Sequence, residues 1–433
     1  MSTPLNCVTI VAHDLGQQLG CYGHPDARTP NVDRLAAEGR LFSNSFCTAP
    51  QCSPSRASLW TGRYPHATGV VGLTHGGFAN DLNGGEKHLA QVLCEAGYTT
   101  HLAHIQHCAS SPQRCGFQHH RPGGHAPQTA KAAVEVIEGW RSADGPLMLQ
   151  VGFFEPHRPF PHDDTDVPSP ADMVVPGYLP DLPVVREDLA LMAASAASMD
   201  AGVGRILDAL DRRGLTDSTV VLFVADHGIP FPHAKMTLYD PGLQVATLLR
   251  VPGLPGGRRH EQMVSNVDVL PTLLELLGLE APAGVQGRSF RNLLVGDAYR
   301  ARNEVFGEMT YHTYYDPMRC IRTDRWKLIA NFEHSPYQMG SPDYHNNAHG
   351  YYEVAVASRE RIAAWCHPPF ELYDLAADPW EQQSIADAPE HQATRDDLAR
   401  RLRRWMAQTG DPLLYGPVAQ GAYRQRMAAF RAL

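Results

Sequence analysis

Cys52 and Arg56 stand four residues apart, after the proline-bearing turn Ala49-Pro50-Gln51 and just before a helix-forming run that begins at Ala57. The position suits a negatively charged group, because free N–H groups and the dipole at a helix N-terminus favour an anion. A thiol there is drawn toward the thiolate and is a candidate nucleophile, and Arg56 one turn later can pair with it or with a bound anion. A lone cysteine before a helix is more often structural, so the residues alone leave both readings open.

Three further polar clusters stand where apolar runs stop: His13-Asp14, Glu155-Pro156-His157 and Asp226-His227-Gly228. In open α/β sheets ligands gather beyond the carboxyl ends of strands, so this coincidence points to a site. The elements that must carry the clusters are short apolar strands at 7–12, 98–104, 147–153, 219–225 and 246–251. They alternate with helical stretches at 30–39, 55–62, 185–213 and 267–278, with Pro30 in a first turn and Gly39 as a stop. The alternation predicts an α/β fold with a large, mixed, mainly parallel sheet flanked by helices.

Beyond residue 300 the pattern changes to short alternating strands (304–310, 318–323, 325–331, 370–374) and a long charged helix at 389–407. This predicts a large α/β domain over 1–300 and a smaller C-terminal α+β domain over 301–433, with a surface insertion at 333–368. For 433 residues, a large core with a smaller unit is the natural arrangement.

Cys52-x-Pro54-x-Arg56, followed by Ala57-Ser58-Leu59-Trp60-Thr61-Gly62-Arg63, resembles the signature of the type I sulfatases of the alkaline-phosphatase-like superfamily, in which the cysteine is converted to formylglycine. The likeness extends to Thr29-Pro30-Asn31-Val32-Asp33-Arg34-Leu35, Phe154-Glu155-Pro156-His157 and Phe370-Glu371-Leu372-Tyr373-Asp374. Asp226-His227-Gly228-Ile229-Pro230-Phe231-Pro232 and Asp316-Pro317-Met318-Arg319 look most similar to the N-sulfoglucosamine sulfohydrolase (heparan N-sulfatase) type.

The resemblance implies hydrolysis of a sulfate ester or sulfamate. In that chemistry one hydroxyl of the hydrated aldehyde at position 52 attacks sulfur, and the other expels sulfate by collapse to the aldehyde. It implies a divalent metal held by Asp14, Asp226, His227 and Cys52. Arg56 and Lys235 are then aimed at the modified residue and the sulfonyl oxygens, with His107 and His157 protonating the leaving group and orienting the sulfate. It also implies a formylglycine-generating enzyme as maturation partner and a small anionic substrate such as a sulfated sugar.

Three positions depart from the family. His13-Asp14 replaces the usual aspartate pair and Asp226-His227 the usual aspartate-asparagine pair. Two imidazoles and two carboxylates make a softer set than the oxygen shell of calcium, the family default, and so admit manganese or zinc. His13 is either a direct ligand or an outer hydrogen-bond partner. Ile105 occupies the lysine position of the family's Gly-Lys-x-His element, with His104 or Gln106 as candidate substitutes, which bears on substrate class. Glu308, His312 and Arg319 are candidate residues of the substrate mouth.

The formal charge of −9, without a block of lysine or arginine, argues against nucleic acid. No apolar run approaches the roughly 18 residues of a membrane span. Nine cysteines without regular spacing fit reduced thiols. The N-terminus shows no basic leader, which reads as cytoplasmic, or as periplasmic or secreted were a leader removed. Two rival functions remain: a phosphonate monoester or phosphodiester hydrolase using the same formylglycine, and a non-catalytic anion-binding protein with Cys52 unmodified.

Overall fold

The computed structural model describes residues 4–162, 167–336, 354 and 366–432. Its centre is β1 (Asn6–Ala12), whose seven residues are all buried. Val8, Ile10 and Ala12 point into one core, and Cys7 and Val11 into the other. A strand covered on both faces must read as a continuous apolar run, which is why this segment lacks the polar alternation of a half-exposed strand.

β1 is flanked in parallel by β6 (Leu147–Gly152) and β7 (Thr219–Ala225). With β2 (Arg40–Phe42), β4 (Thr99–His104), β5 (His119–Arg121), β8 (Thr247–Arg250) and β9 (Arg258–His260), the eight-stranded order is β5-β4-β6-β1-β7-β8-β2-β9. Only the β7–β8 and β8–β2 pairings are antiparallel. Outside this sheet β3 (Ser45–Phe46) pairs with β10 (Val264–Ser265).

One face of the sheet is covered by helix α1 (Pro30–Glu38) and the helices Ala126–Gly139 and Pro183–Arg212. Asp200 of the longest helix ties two of these together: its carboxylate accepts the N–H groups of Asn31 and Val32 at 3.1 and 2.7 Å. A carboxylate at a helix N-terminus satisfies orphan donors and complements the dipole. The other face is covered by helix α2 (Cys52–Thr61) together with Leu89–Glu95 and Val269–Leu276. Trp60 of α2 has no exposure, and its replacement by alanine would cost about 3–5 kcal/mol by opening a cavity.

The smaller sheet, β11 (Glu304–Tyr311), β12 (Tyr315–Thr323), β13 (Trp326–Asn331) and β14 (Phe370–Asp374), is wholly antiparallel in sequence order. Alternate residues face opposite cores. Phe306, Ile321 and Leu328 pack with Leu398, Leu402 and Trp405 of the helix Gln392–Thr409. Val305, Cys320 and Ile329 join the main core instead.

The predicted strands and helices thus recur with shifted ends, and one shift matters. The helix expected at 55–62 begins at Cys52, because Pro54 falls in the first turn, where its missing N–H costs nothing. Most of the insertion expected at 333–368 lies outside the described residues. Among those described, no helix is long and apolar enough to cross a membrane and none of the nine cysteines forms a disulfide.

Candidate active site

Four adjacent parallel strands, β4, β6, β1 and β7, deliver His107, His157, His13-Asp14 and Asp226-His227 beyond the same sheet edge. The chain turns sharply there: Asp14, His104 and His107 all adopt left-handed backbone, with φ of 57, 70 and 58°. Non-glycine residues occupy that region at a cost, and such strain concentrates where side chains must be aimed. The Asp226 carboxylate locks the two central strand ends, accepting the N–H groups of Asp14 and His227 at 2.9 Å each.

α2 brings Cys52, its first residue, against these ends. Cys52 Sγ lies 2.8 Å from His13 Nε2 and 3.4 Å from His227 Nε2. His227 Nε2 is also 3.0 Å from Asp14 Oδ1, and His13 Nε2 is 3.6 Å from both Asp14 Oδ1 and Asp226 Oδ2. One donor atom from each of the five residues lies within 4.8 Å of every other, and all five are buried. The structure therefore draws His13 into the donor cluster itself. A mixed nitrogen, oxygen and sulfur set converging from five buried side chains fits a divalent metal.

Two buried cations flank the cluster. Arg56 donates Nε to Asp226 Oδ2 at 2.9 Å, while its two terminal nitrogens have no protein partner among the described residues. Lys235 is 1% exposed, donates to Asp14 Oδ2 at 2.8 Å and sits 3.3 Å from His157 Nε2. His157 is oriented by its Nδ1, 2.6 Å from the Arg158 carbonyl, and its ring lies 4.5 Å from that of His13. His107 meets the edge of the His13 ring at 5.4 Å.

These contacts set the charges. Burial alone would raise the Asp14 carboxyl, but Lys235 and the surrounding imidazoles overturn that and hold it well below the usual range. Burial lowers His13 far below an ordinary histidine, Arg56 adding to the effect and Asp14 only partly opposing it. At His227 burial also works against the charge, yet Asp226 and Asp14 win and raise it well above. The two carboxylates thus favour positive charge at His227, a charge that a bound divalent ion would supply in place of the imidazolium proton. His107 is pushed far down, first by burial and then by Arg56.

The remaining candidates go elsewhere. Gln106 closes its own turn: its Oε1 accepts from Cys108 N and Ala109 N, and its Nε2 donates to Ala109 O at 2.6 Å. It is no substitute for a lysine. His104 turns Nδ1 toward Thr129 Oγ1 at 3.0 Å, and burial, with Arg56 next, lowers it to about 4, so it adds no cation near neutrality.

Glu308 and Arg319, expected at the substrate mouth, are 1% and 0% exposed. Glu308 pairs with His66, and Arg319 holds Asp411 through two bonds of 2.6 and 3.1 Å. This charged network lies inside the junction with the smaller sheet, where Glu308 N also donates to Thr48 O, in the loop leading to Cys52. His312 is buried, with Nδ1 3.1 Å from Thr313 Oγ1.

The sequence reading missed the loop around Thr74 and His75. Thr74 donates to the His107 carbonyl at 3.3 Å and meets Ser53 Oγ at 3.4 Å, and exposed His75 packs on the His107 ring at 4.9 Å. The only local signal was a histidine before the Gly76-Gly77 pair.

A sequence model described as Sulfatase matches residues 6–279, and one described as N-sulphoglucosamine sulphohydrolase, C-terminal, matches residues 228–352. Human N-sulphoglucosamine sulphohydrolase is 28% identical over 96% of this chain and 92% of its own length. Among solved structures, BT4656 in complex with its substrate D-glucosamine-2-N,6-O-disulfate superposes with a TM-score of 0.70 at 20% identity, covering 95% of this chain and 99% of that one. The phosphonate monoester hydrolase of Agrobacterium radiobacter gives a TM-score of 0.75 at 20% identity, covering 96% and 99%. At these identities the two structures show a common fold.

Proposed function

The chain belongs to the sulfatase family of sulfuric ester hydrolases, and on that premise we propose that it desulfates an anionic sugar, as a sulfate ester or as the sulfamate of an aminosugar. Family membership implies a divalent metal and a formylglycine. When present, the hydrated aldehyde made from Cys52 supplies the hydroxyls that attack sulfur and release sulfate, with the metal easing charge on the attacking oxygen.

The observation that carries the reading is Arg56, buried, fixed through Nε and left with two guanidinium nitrogens for an anion. In a water-excluded pocket, preplaced donors of this kind stabilise charge far better than they would in solvent. Lys235 holds Asp14 in place and adds positive charge beside the reacting group. His157 donates Nδ1–H to Arg158 O, so Nε2, beside the Lys235 ammonium, is the atom left to exchange a proton with the leaving oxygen or nitrogen. The neighbouring ring of His107 lines the same pocket.

For the metal, the paired imidazoles of His13 and His227 support manganese or zinc rather than calcium, which prefers six to eight oxygen ligands. Resemblance of the Asp226-His227 pair to that of phosphonate monoester hydrolases supports a second reading on the same scaffold. Parallel kinetics on N-sulfoglucosamine, an aryl sulfate and an aryl phosphonate monoester separate the two. The proposal expects kcat/KM for a sulfate or sulfamate to exceed that for the phosphonate; the reverse order would transfer the chain to the second reading.

A further inference from the structure

The last helix, Gly421–Arg431, stands almost clear of the protein: of its eleven residues only Gly421 is buried. It is rooted at its first turn, where Gly421 N donates to Asn80 Oδ1 at 3.1 Å and Ala422 N to Phe78 O at 2.9 Å. A Cβ at Gly421 would stand 1.8 Å from the Ala79 carbonyl oxygen, so glycine is what lets the helix start this close. The segment before it is held by the β11–β12 hairpin, since Tyr311 Oη donates to Val418 O at 2.6 Å and Val418 N to Tyr315 Oη at 3.1 Å. The loop that carries the helix is also the one that reaches the pocket. Phe78 N donates to His75 O at 3.3 Å, and the His75 ring packs on that of His107. The helix therefore rises from the rim of the active site.

Its surface is apolar and cationic. Tyr423, Met427 and Phe430, at i, i+4 and i+7, form one stripe, with Tyr423 56% and Phe430 71% exposed. Arg424 and Arg431 border the stripe on one side and Arg426 on the other. Arg424 is steered by its Nη1, which donates to Ala419 O at 2.7 Å. Among the described residues none of the three arginines pairs with a carboxylate. Residues 412–433 hold these arginines and no aspartate or glutamate, in a chain whose net charge is −9. An isolated helix of this length is marginal in water, and aromatic side chains so exposed on it call for a partner.

The charge selects that partner. A second copy laying the same helix against this one would set arginine against arginine. A sulfated polysaccharide matches both features: guanidinium groups take sulfate oxygens through paired N–H donors, as they take phosphate, and aromatic rings cover the apolar faces of pyranoses. Arg424 and Arg431 lie about 10 Å apart along the helix axis, the length of about two sugar rings. We infer that the helix Gly421–Arg431 is a binding arm for a sulfated polysaccharide whose terminal sugar occupies the pocket. Resting on the sulfated-sugar reading of that pocket, the assignment makes the substrate a polymer.

Binding and kinetics on the full chain test this together. The probe is immobilised dextran sulfate, with uncharged dextran as control, and the variant is Arg424→Ala/Arg426→Ala/Arg431→Ala, which spares every residue of the pocket. Alanine is a stronger helix former than arginine, so lost binding is not lost helix. The proposal expects the unaltered protein to be held by dextran sulfate and not by dextran, with affinity in the variant at least about tenfold weaker and less dependent on salt. It expects KM for a sulfated oligosaccharide ending in N-sulfoglucosamine to rise at least about tenfold at unchanged kcat, while kinetics on N-sulfoglucosamine itself stay the same. Equal affinity of the two proteins for dextran sulfate would overturn it. So would a dimer that Tyr423→Ser/Phe430→Ser converts to monomer with dextran sulfate binding intact, which would give the helix to a second copy of the chain. Retention needs no turnover, so the two readings fail separately. Arginine-dependent retention without hydrolysis of any sulfate sinks the functional reading alone, and hydrolysis of the oligosaccharide with identical kinetics in the two proteins sinks the binding arm alone.

Discussion

Arg56 Nε donates to Asp226 Oδ2 across 2.9 Å, joining the first turns of the Cys52 helix to the end of the central strand pair in an ion pair with no exposure on either side chain. The same bond serves two ends: it orients the guanidinium for an anion and neutralises a carboxylate of the metal cluster.

Removing Arg56 should therefore damage both. Arg56→Ala leaves Asp226 buried without its partner and should lower stability by about 3–5 kcal/mol in chemical denaturation. Arg56→Lys keeps a charge but loses the fork, and should lower kcat by about 10²–10³ with a smaller stability loss.

His157→Asn should reduce kcat by about 10²–10⁴ on a substrate with a poor leaving group, the range for losing a general acid. A nitrophenyl sulfate, whose leaving oxygen needs little protonation, should suffer much less. Equal losses on the two substrates would assign His157 to orientation of the sulfate.

His13→Asp should move metal preference toward calcium, since the donor set becomes richer in carboxylate oxygen. Metal titrations of the two proteins with Ca2+, Mn2+ and Zn2+ check it, and an unchanged order of affinities would place His13 outside the ligand shell.

Stability should fall in acid. Burial lowers His88 from 6.5 to about 3, so the folded state holds it neutral while the unfolded chain binds a proton. Its contribution is complete above pH 6.5 and is lost as pH falls toward 3, at about 1.4 kcal/mol per pH unit. His101 and His104, each lowered to about 4 mainly by burial, act in the same direction. His88→Asn keeps an acceptor for Ala90 N and removes the titration. Urea denaturation between pH 6 and pH 4 should show a flatter slope for that variant.

Strands buried on both faces were legible because burial leaves an unbroken apolar run, and β1 and β7 occur within a residue of the expected places. Strands of three residues such as β2 and β9 carry no measurable period and were not legible. At the site, Cys52, Arg56 and the strand-end carboxylates announced themselves by position. Lys235 was legible only through family spacing, because nothing local marks a lysine that will be buried against Asp14. Glu308 and Arg319 misled for the converse reason: a charged residue in a sequence reads as surface until its partners, here His66 and Asp411, arrive from distant segments. The start of α2 was missed because Ser53 and Pro54 are poor helix formers in a helix interior but fit its first turn.

The central claim is that an aldehyde made from Cys52 breaks the bond to sulfur. Mass spectrometry of the Cys52 peptide from active protein, quantified against the rate of sulfate release in the same preparation, tests it most directly. Activity proportional to the formylglycine fraction, and none in Cys52→Ala, is the predicted result. Full activity from protein whose Cys52 is an intact thiol would contradict it.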